Sequence, residues 1–147
     1  MEKIKVLFLC TGNSARSQMA EAFLNKYGEG RYQAYSAGLE PQGIHPLTIK
    51  VMEEIGIALK EQRSKSVVEY MGKQRFAFLV TVCSHADKNC PAVFPEAGRK
   101  LHYPFDDPAA AEGIEEARIK KFREVRDQIE DWIKTWLKDQ DFNPNPQ

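Results

Sequence analysis

Short apolar runs alternate along this chain with longer segments in which apolar residues recur at helical spacing. Ile4–Leu9 is a short apolar run, which predicts a buried strand. In the segment Arg16–Tyr27, the apolar residues Met19, Phe23 and Tyr27 fall on one helical face. Strands that alternate with helices favour parallel βαβ units. We therefore predict an α/β fold, a single domain with a parallel four-stranded sheet flanked by helices on both faces.

The remaining elements follow the same pattern. Further strands are predicted at Tyr32–Ala37, Phe76–Val82 and Lys100–Tyr103. A second helix is predicted to begin at Pro46, and a third helix is predicted over Glu115–Leu137. The 147 residues fit one domain, which we place at residues 1–138. A flexible tail is predicted at residues 139–147, because they include two prolines and two asparagines.

The charge balance and the cysteine count limit the classes of function. Lys plus Arg and Asp plus Glu both number 21, and this zero net charge argues against nucleic-acid or membrane-surface binding. No apolar run approaches the ~18 residues of a membrane span, and Val6–Leu9 is shorter than a secretory signal core. We expect a cytoplasmic monomer. An odd number of cysteines (Cys10, Cys83 and Cys90) in a reducing compartment is a poor basis for structural disulfides. Their thiols are therefore candidates for chemistry.

The loop Cys10–Ser17 joins the first strand to the first helix. Backbone N–H groups in such a loop point inward and bind a tetrahedral anion, and the helix dipole adds to this attraction. Gly12 permits a positive φ and a close backbone approach, and the planar guanidinium of Arg16 suits an oxyanion. The predicted oxyanion-binding residues are Thr11, Gly12, Asn13, Ser14, Ala15, Arg16 and Ser17.

Cys10 is the candidate nucleophile at the base of this loop. Arg16 and the helix N-terminus both favour its thiolate. Ser17 is expected to donate a hydrogen bond to that thiolate, and Asn13 is expected to brace the loop. An isolated cysteine at a strand end more often packs as a small hydrophobic residue, so the loop alone leaves that alternative open. A nucleotide-binding P-loop is excluded, because the sequence G-x-x-x-x-G-K-[ST] is absent.

Four motifs stand in order along the chain. They are Cys10–Ser17 followed by Met19–Glu21, then Tyr35–Gly38, then the pair Cys83 and Cys90, and finally Phe105–Pro108. Together they resemble the thioredoxin-coupled arsenate reductase family of the low-molecular-weight tyrosine phosphatase superfamily. The resemblance runs over nearly the whole chain. It implies a phosphatase-like fold, arsenate as substrate, phosphate or sulfate as competing anions, and thioredoxin as partner. For this chain we expect no cofactor and no metal ion.

The resemblance also implies a three-thiol cascade. Cys10 attacks arsenate, Cys83 attacks Cys10 and releases arsenite, and Cys90 attacks Cys83 to leave a disulfide that thioredoxin reduces. Asp107 is the implied acid that protonates the departing hydroxide. Pro108 restricts Asp107 to an extended conformation. Without the other motifs this Asp-Asp-Pro stretch would indicate a plain turn.

The spacing of the later cysteines bears on their role. A direct Cys83–Cys90 disulfide needs Cα atoms within ~7 Å, so the segment between them must bend or partly melt. Zinc with His85 as a third ligand is disfavoured, because structural zinc uses four ligands and closer cysteine spacing. Two inert cysteines are the remaining alternative, and the resemblance disfavours it.

Two departures from the family pattern are visible. Ala15 replaces a cysteine that is common in the loop but has no part in the cascade, so activity should survive. In the reductases a potassium ion can bind at positions that match Asn13, Glu21 and Ser36 plus an aspartate. Lys65 stands where we align that aspartate, so its ammonium either replaces the ion or is simply solvated.

Two other functions remain open from the residues. A phosphotyrosine phosphatase shares Cys10, Arg16 and Asp107 but lines its mouth with aromatic residues, whereas here Pro108 is followed by three alanines. A thiol-based redox sensor would use the later cysteines but has no need for Arg16 and Asp107. No carboxylate or metal partner is identifiable for the histidines, and we interpret His45, His85 and His102 as surface or turn residues.

Overall fold

The computed structural model describes residues 2–84, 86 and 98–142, with side chains up to residue 140. Cys90 and His85 therefore lie outside the described residues, and so do residues 143–147 of the predicted tail. The strands are β1 (Ile4–Cys10), β2 (Tyr32–Gly38), β3 (Phe78–Thr81) and β4 (Arg99–His102). They form one sheet in the order β2-β1-β3-β4, and every neighbouring pair is parallel. The predicted four-stranded parallel sheet is confirmed.

Three α-helices are described: α1 (Arg16–Tyr27), α2 (Pro46–Glu53) and α3 (Glu115–Phe142). Short 3-10 helices span Val67–Glu69 and Pro108–Ala110. The bounds of α1 agree with the sequence prediction. Helix α3 ends later than predicted, so residues 139–142 belong to the helix rather than to a tail. The reason is that the first helix breaker after Leu137 is Pro144.

Both faces of the sheet are covered. On one face, Phe8 packs edge-on against Trp132 of α3, and Phe78 does the same against Trp136. On the other face, Tyr35 packs edge-on against Tyr70, which directly follows the first 3-10 helix. Since residues 6–10 of β1 are all buried, the central strand is the middle of the hydrophobic core. Among the described residues, none of the helices is both long and apolar enough to cross a membrane.

The strand register brings the two described cysteines to one edge of the sheet. Leu9 lies opposite Thr81, so β1 and β3 end side by side. Cys10 is the last residue of β1, and Cys83 follows β3 after Val82. Parallel strands present their carboxyl ends at the same edge, where ligands bind in folds of this class. The candidate site is therefore at this edge.

Candidate active site

The loop after β1 is shaped by a tight contact with the end of β2. A side chain at Gly38 would bring its Cβ within 2.7 Å of the Thr11 carbonyl oxygen, so only glycine allows this approach. The positive φ that we expected at Gly12 is instead at Asn13, with φ of 49°. Asparagine tolerates this conformation better than most residues, particularly when its amide is hydrogen-bonded locally. A Cβ added at Gly12 would lie 3.3 Å from the flexible Gln42 side chain, which would have to shift by a few tenths of an ångström.

Helix α1 begins without a side-chain cap. Its N-cap residue is Ala15, which offers no acceptor to the first N–H groups of the helix. Ala15 and Arg16 both line the pocket above the loop. No side chain therefore caps the first N–H groups of the helix beside this pocket, and helix ends of this kind can bind anions.

Cys10 is buried at the base of the loop, with 3% of its surface exposed. Its sulfur accepts a hydrogen bond from the Asn13 backbone N–H at 3.2 Å and lies 3.0 Å from the Ser17 hydroxyl. The Ser17 contact was expected from the sequence, and the Asn13 backbone N–H is a further donor. They supply donors to the sulfur, which is the arrangement that stabilises a thiolate.

The Asn13 amide determines which way the neighbouring hydroxyls donate. Its Oδ1 accepts from the backbone N–H of Lys65 at 2.9 Å, and a backbone N–H can only donate. Its Nδ2 therefore faces the other side, where it donates to Ser17 at 2.8 Å and to Ser36 at 2.9 Å. The hydroxyl hydrogen of Ser17 is left to point at Cys10. Ser36 in turn donates to Oε1 of Glu21 at 2.6 Å.

Glu21 and Lys65 form a buried pair behind the loop. The Lys65 Nζ lies 3.7 Å from Glu21 Oε1, with 7% and 13% of the two side chains exposed, and it donates to the Arg63 carbonyl at 2.8 Å. Burial raises the pKa of Glu21 and lowers the pKa of Lys65, while their mutual attraction opposes both changes. The interpretation of Lys65 as a solvated side chain is therefore wrong. Its ammonium lies beside one of the residues matched to the potassium site.

Arg16 and Asp107 meet across the mouth of the pocket. Arg16 donates to the Phe105 carbonyl at 3.0 Å, and its Nη2 lies 3.8 Å from Asp107 Oδ2. Asp107 has an extended backbone before Pro108, and its Oδ1 accepts from the Ala109 N–H at 3.0 Å. One carboxylate oxygen is thus engaged in the turn, and the other faces the guanidinium. The carboxyl is half exposed and lines the same pocket as Cys10.

Its neighbour Asp106 has a different role. Asp106 forms an ion pair with Lys121 of α3 at 2.9 Å, and this contact lowers the pKa of Asp106. It does not line the pocket that Asp107 lines. Asp106 therefore links this segment to α3 and is not part of the pocket lining.

Cys83 lies next to Thr11 of the Cys10–Ser17 loop. It is 4% exposed, its sulfur is 3.5 Å from the Thr11 hydroxyl, and it accepts from the Ala86 N–H at 3.4 Å. Cys10 and Cys83 both line one pocket of about 490 Å³. The other described lining residues are Thr11, Gly12, Ser14, Ala15, Arg16, Gln42, Ser84, Pro104, Phe105, Asp107 and Ala109.

Two of the seven predicted oxyanion-binding residues do not line this pocket. Asn13 and Ser17 are fully buried behind it, where they support the loop and the Cys10 sulfur. Phe105 is the one aromatic residue among the described lining residues. The described part of the chain holds no group of three or more His, Cys, Asp or Glu side chains placed to bind a metal ion.

Several supporting residues were not predicted from the sequence. Gln18 is fully buried, and its Nε2 donates to both the carbonyl and the Oδ1 of Asn13. Gln62 donates to Gln18 Oε1 at 2.9 Å. Gln42 lines the pocket beside Gly12. Of these residues, only Gln18 could have been suspected from the sequence, because it is a polar residue that directly follows the Cys10–Ser17 motif at the start of α1.

Two histidines have partners that sequence reasoning did not find. His45 caps α2: its Nδ1 accepts from the Leu47 N–H at 3.0 Å, and its own backbone N–H donates to Ser14 at 3.1 Å. Burial lowers the pKa of His45. His102 Nδ1 lies 2.8 Å from the Thr81 hydroxyl. These partners are a backbone N–H and a hydroxyl, which are not the carboxylate or metal partners that the sequence analysis looked for.

Comparison with known proteins shows which family this chain matches. Residues 5–144 match the model of the low molecular weight phosphotyrosine protein phosphatases. An arsenate reductase of Halalkalibacterium halodurans is 46% identical over 136 residues, which cover 92% of this chain and 96% of the relative. An arsenate reductase of Bacillus subtilis is 40% identical over 134 residues, covering 91% of this chain and 95% of the relative.

Solved structures agree with this placement. An arsenate reductase in the phosphate-binding state superposes with a TM-score of 0.78 at 29% identity, covering 92% of this chain and 98% of that chain. The tyrosine phosphatase Wzb from Escherichia coli in complex with sulphate superposes with a TM-score of 0.78, covering 94% and 99%. At 21% identity, this second likeness concerns the fold alone.

Proposed function

Because the chain belongs to the low molecular weight phosphotyrosine protein phosphatase family, we propose that its Cys10 loop is the oxyanion site of an arsenate reductase. The observation that carries the proposal is the second thiol. Cys83 is buried and lines the same pocket as Cys10. Phosphate-ester hydrolysis needs one thiolate, whereas reduction of arsenate to arsenite needs two electrons, which a pair of thiols supplies.

The first step is binding and attack. Backbone N–H groups of the loop and the Arg16 guanidinium hold the arsenate oxygens. The Cys10 thiolate attacks arsenic, an S–As bond forms, and one As–O bond breaks. Asp107 protonates the departing oxygen, which leaves as water. Arsenic stays pentavalent in this step, because a thiolate has replaced a hydroxide.

Reduction follows from the second thiol. The Cys83 thiolate attacks the Cys10 sulfur, and an S–S bond forms while the S–As bond breaks. The bonding pair stays on arsenic, so arsenic is reduced by two electrons and leaves as arsenite. The two thiols are oxidised to the Cys10–Cys83 disulfide. The position of Thr11, within 3.5 Å of the Cys83 sulfur, favours this attack because its hydroxyl can stabilise the thiolate.

Regeneration requires a third thiol and an external dithiol. Cys90, which lies outside the described residues, attacks Cys83 and releases the Cys10 thiol. The resulting Cys83–Cys90 disulfide is then reduced by a dithiol donor, for which we propose thioredoxin. The partner is inferred from the resemblance and from this chemistry, since an intramolecular disulfide needs a two-electron donor.

A residual phosphatase activity is the second candidate. Cys10, Arg16 and Asp107 line one pocket, and these three groups are sufficient for attack on a phosphate ester and protonation of its leaving group. Ala109 lines the pocket and Phe105 is its one aromatic residue among the described lining, so there is little aromatic surface for a substrate ring, which favours a small inorganic oxyanion. We therefore expect any phosphatase activity to be weak.

Turnover of arsenate with thioredoxin, thioredoxin reductase and NADPH tests the proposal, beside hydrolysis of para-nitrophenyl phosphate. Cys10→Ser should abolish both activities, because both begin with the same thiolate. Cys83→Ser should abolish reduction and spare hydrolysis, and it is the matched control. A Cys83→Ser variant that still turns over arsenate would contradict the two-thiol mechanism. Wild-type protein that hydrolyses the ester but never reduces arsenate would assign the site to a phosphatase.

A further inference from the structure

A second groove lies at the other end of the sheet, where β1 and β3 begin. Its volume is about 850 Å³. Among the described residues its charged lining is Lys3, Lys5, Lys73 and Arg75 against a single carboxylate, Glu2. The whole chain carries 21 residues of each sign, so this excess of cations is local and not a consequence of composition.

The backbone around this groove is held in place. Lys3 and Lys5 flank Ile4, and alternate residues of an extended strand point to the same side. The strand register sets Gln33, another lining residue, opposite Lys5. On the far wall, the Ala77 N–H donates to the Lys5 carbonyl at 2.9 Å, which ties the two walls together.

The segment that carries Lys73 and Arg75 is anchored as well. Phe76 is 2% exposed and packs edge-on against Tyr35 and Tyr70 at ring-centroid distances of 5.4 and 5.6 Å. The charged residues on either side of Gln74 therefore project from a fixed segment rather than from a loose loop.

The cationic side chains of this groove are not neutralised by ion pairs within the described part of the chain. None of the four cations forms an ion pair there. Lys73 has only a longer-range electrostatic interaction with Glu69, and Glu69 is already paired with Arg63. Gln74 also lines the groove, and its Nε2 is buried with no described acceptor.

We propose that this groove binds a small ligand that carries several phosphate groups. Four cations exceed what one tetrahedral anion needs, and a chain of phosphates can contact them together. The volume is typical of sites for small molecules. A nucleic acid would need a longer basic stripe than these four residues form. The site is separate from the Cys10 loop, which lies at the opposite edge of the sheet.

Titration of the reduced full-length protein with inorganic tripolyphosphate tests this proposal. Sulfate at a constant concentration occupies the Cys10 loop, and binding is followed by calorimetry and by amide chemical shifts. Wild-type protein should bind with shifts centred on residues 3–5 and 73–77. The double variant Lys5→Ala with Arg75→Ala should bind at least about tenfold more weakly, because two charge-assisted contacts are lost.

The matched control removes the same number of charges elsewhere. Lys50 and Lys60 are exposed and do not line the groove, so Lys50→Ala with Lys60→Ala should leave the affinity unchanged. If the groove variant melts earlier than wild type, Arg75→Gln alone provides the same comparison at an exposed side chain.

Four outcomes would overturn the proposal: no binding at about 10 mM tripolyphosphate, equal weakening in both double variants, shifts confined to residues 10–17, or citrate binding as tightly as tripolyphosphate. Tighter binding of a single-stranded oligonucleotide would also overturn it, in favour of a nucleic-acid surface.

Discussion

Replacement of Lys65 with methionine tests the buried pair that supports the active-site loop. Methionine keeps most of the volume of lysine and removes only the ammonium. The Lys65 Nζ and Glu21 Oε1 are 3.7 Å apart, so at an effective dielectric constant of ~20 their attraction is about 4 kcal/mol. Part of this is offset by desolvation of both groups, and we expect Lys65→Met to lower the free energy of unfolding by about 2–4 kcal/mol.

The loss should depend on pH in a defined direction. Burial already raises the pKa of Glu21, and removal of the ammonium raises it further. A carboxyl whose pKa is higher in the folded state than in the unfolded state destabilises the fold as pH rises above the unfolded value. The difference between Lys65→Met and wild type should therefore be larger at pH 8 than at pH 5, where Glu21 is closer to neutral.

Urea unfolding of four proteins provides the assay: wild type, Lys65→Met, Glu21→Gln and the double variant. The double-mutant cycle isolates the coupling between the two side chains. Lys60→Met is the matched control, because Lys60 is exposed, and it should change stability by less than about 0.5 kcal/mol. A coupling energy below about 0.5 kcal/mol, or a difference that does not shrink toward low pH, would refute this account of the pair.

Further predictions concern the pocket. Ser17→Ala removes the hydroxyl 3.0 Å from the Cys10 sulfur and should slow single-turnover arsenate reduction about 10- to 100-fold, whereas an unchanged rate would show that the contact is idle. Asp107→Asn keeps the acceptor for the Ala109 N–H but cannot donate a proton as an acid; the same assay should show a loss of about 10²- to 10⁴-fold with unchanged thermal stability. His45 accepts at Nδ1 and burial lowers its pKa, so wild-type stability should fall as pH drops below about 6.5 and His45 gains a proton. His45→Asn, which can cap α2 without titrating, should reduce that fall in urea unfolding at pH 7 and pH 5, and equal slopes would contradict this assignment.

The sequence predicted the elements that local patterns determine. The bounds of α1 agree because a clear apolar stripe ends at Gly28, and β1 agrees to within one residue because Val6–Leu9 is a continuous apolar run. The edge that carries Cys10 and Cys83 also followed from the sequence. Parallel strands separated by helices place their carboxyl ends together, whatever the details of packing.

Features that depend on distant parts of the chain were missed or misplaced. The left-handed backbone of Asn13 depends on hydrogen bonds from Gln18 and from the Lys65 backbone, and no local pattern links positions 13 and 65. The burial of Lys65 depends on the bridge between Gly38 and Ser66, which places the segment beside β2. A lysine in isolation predicts a solvated side chain, and only this pairing reverses that expectation.

Peptide mapping by mass spectrometry after one turnover of Cys90→Ser tests the two-thiol mechanism most directly. The variant is reduced, freed of reductant and mixed with arsenate, with no thioredoxin present. The mechanism predicts about one arsenite per chain and a disulfide that joins the peptides of Cys10 and Cys83. Arsenite formed without that disulfide, or no arsenite from a folded variant that still binds arsenate, would contradict the central role of the two thiols in this pocket.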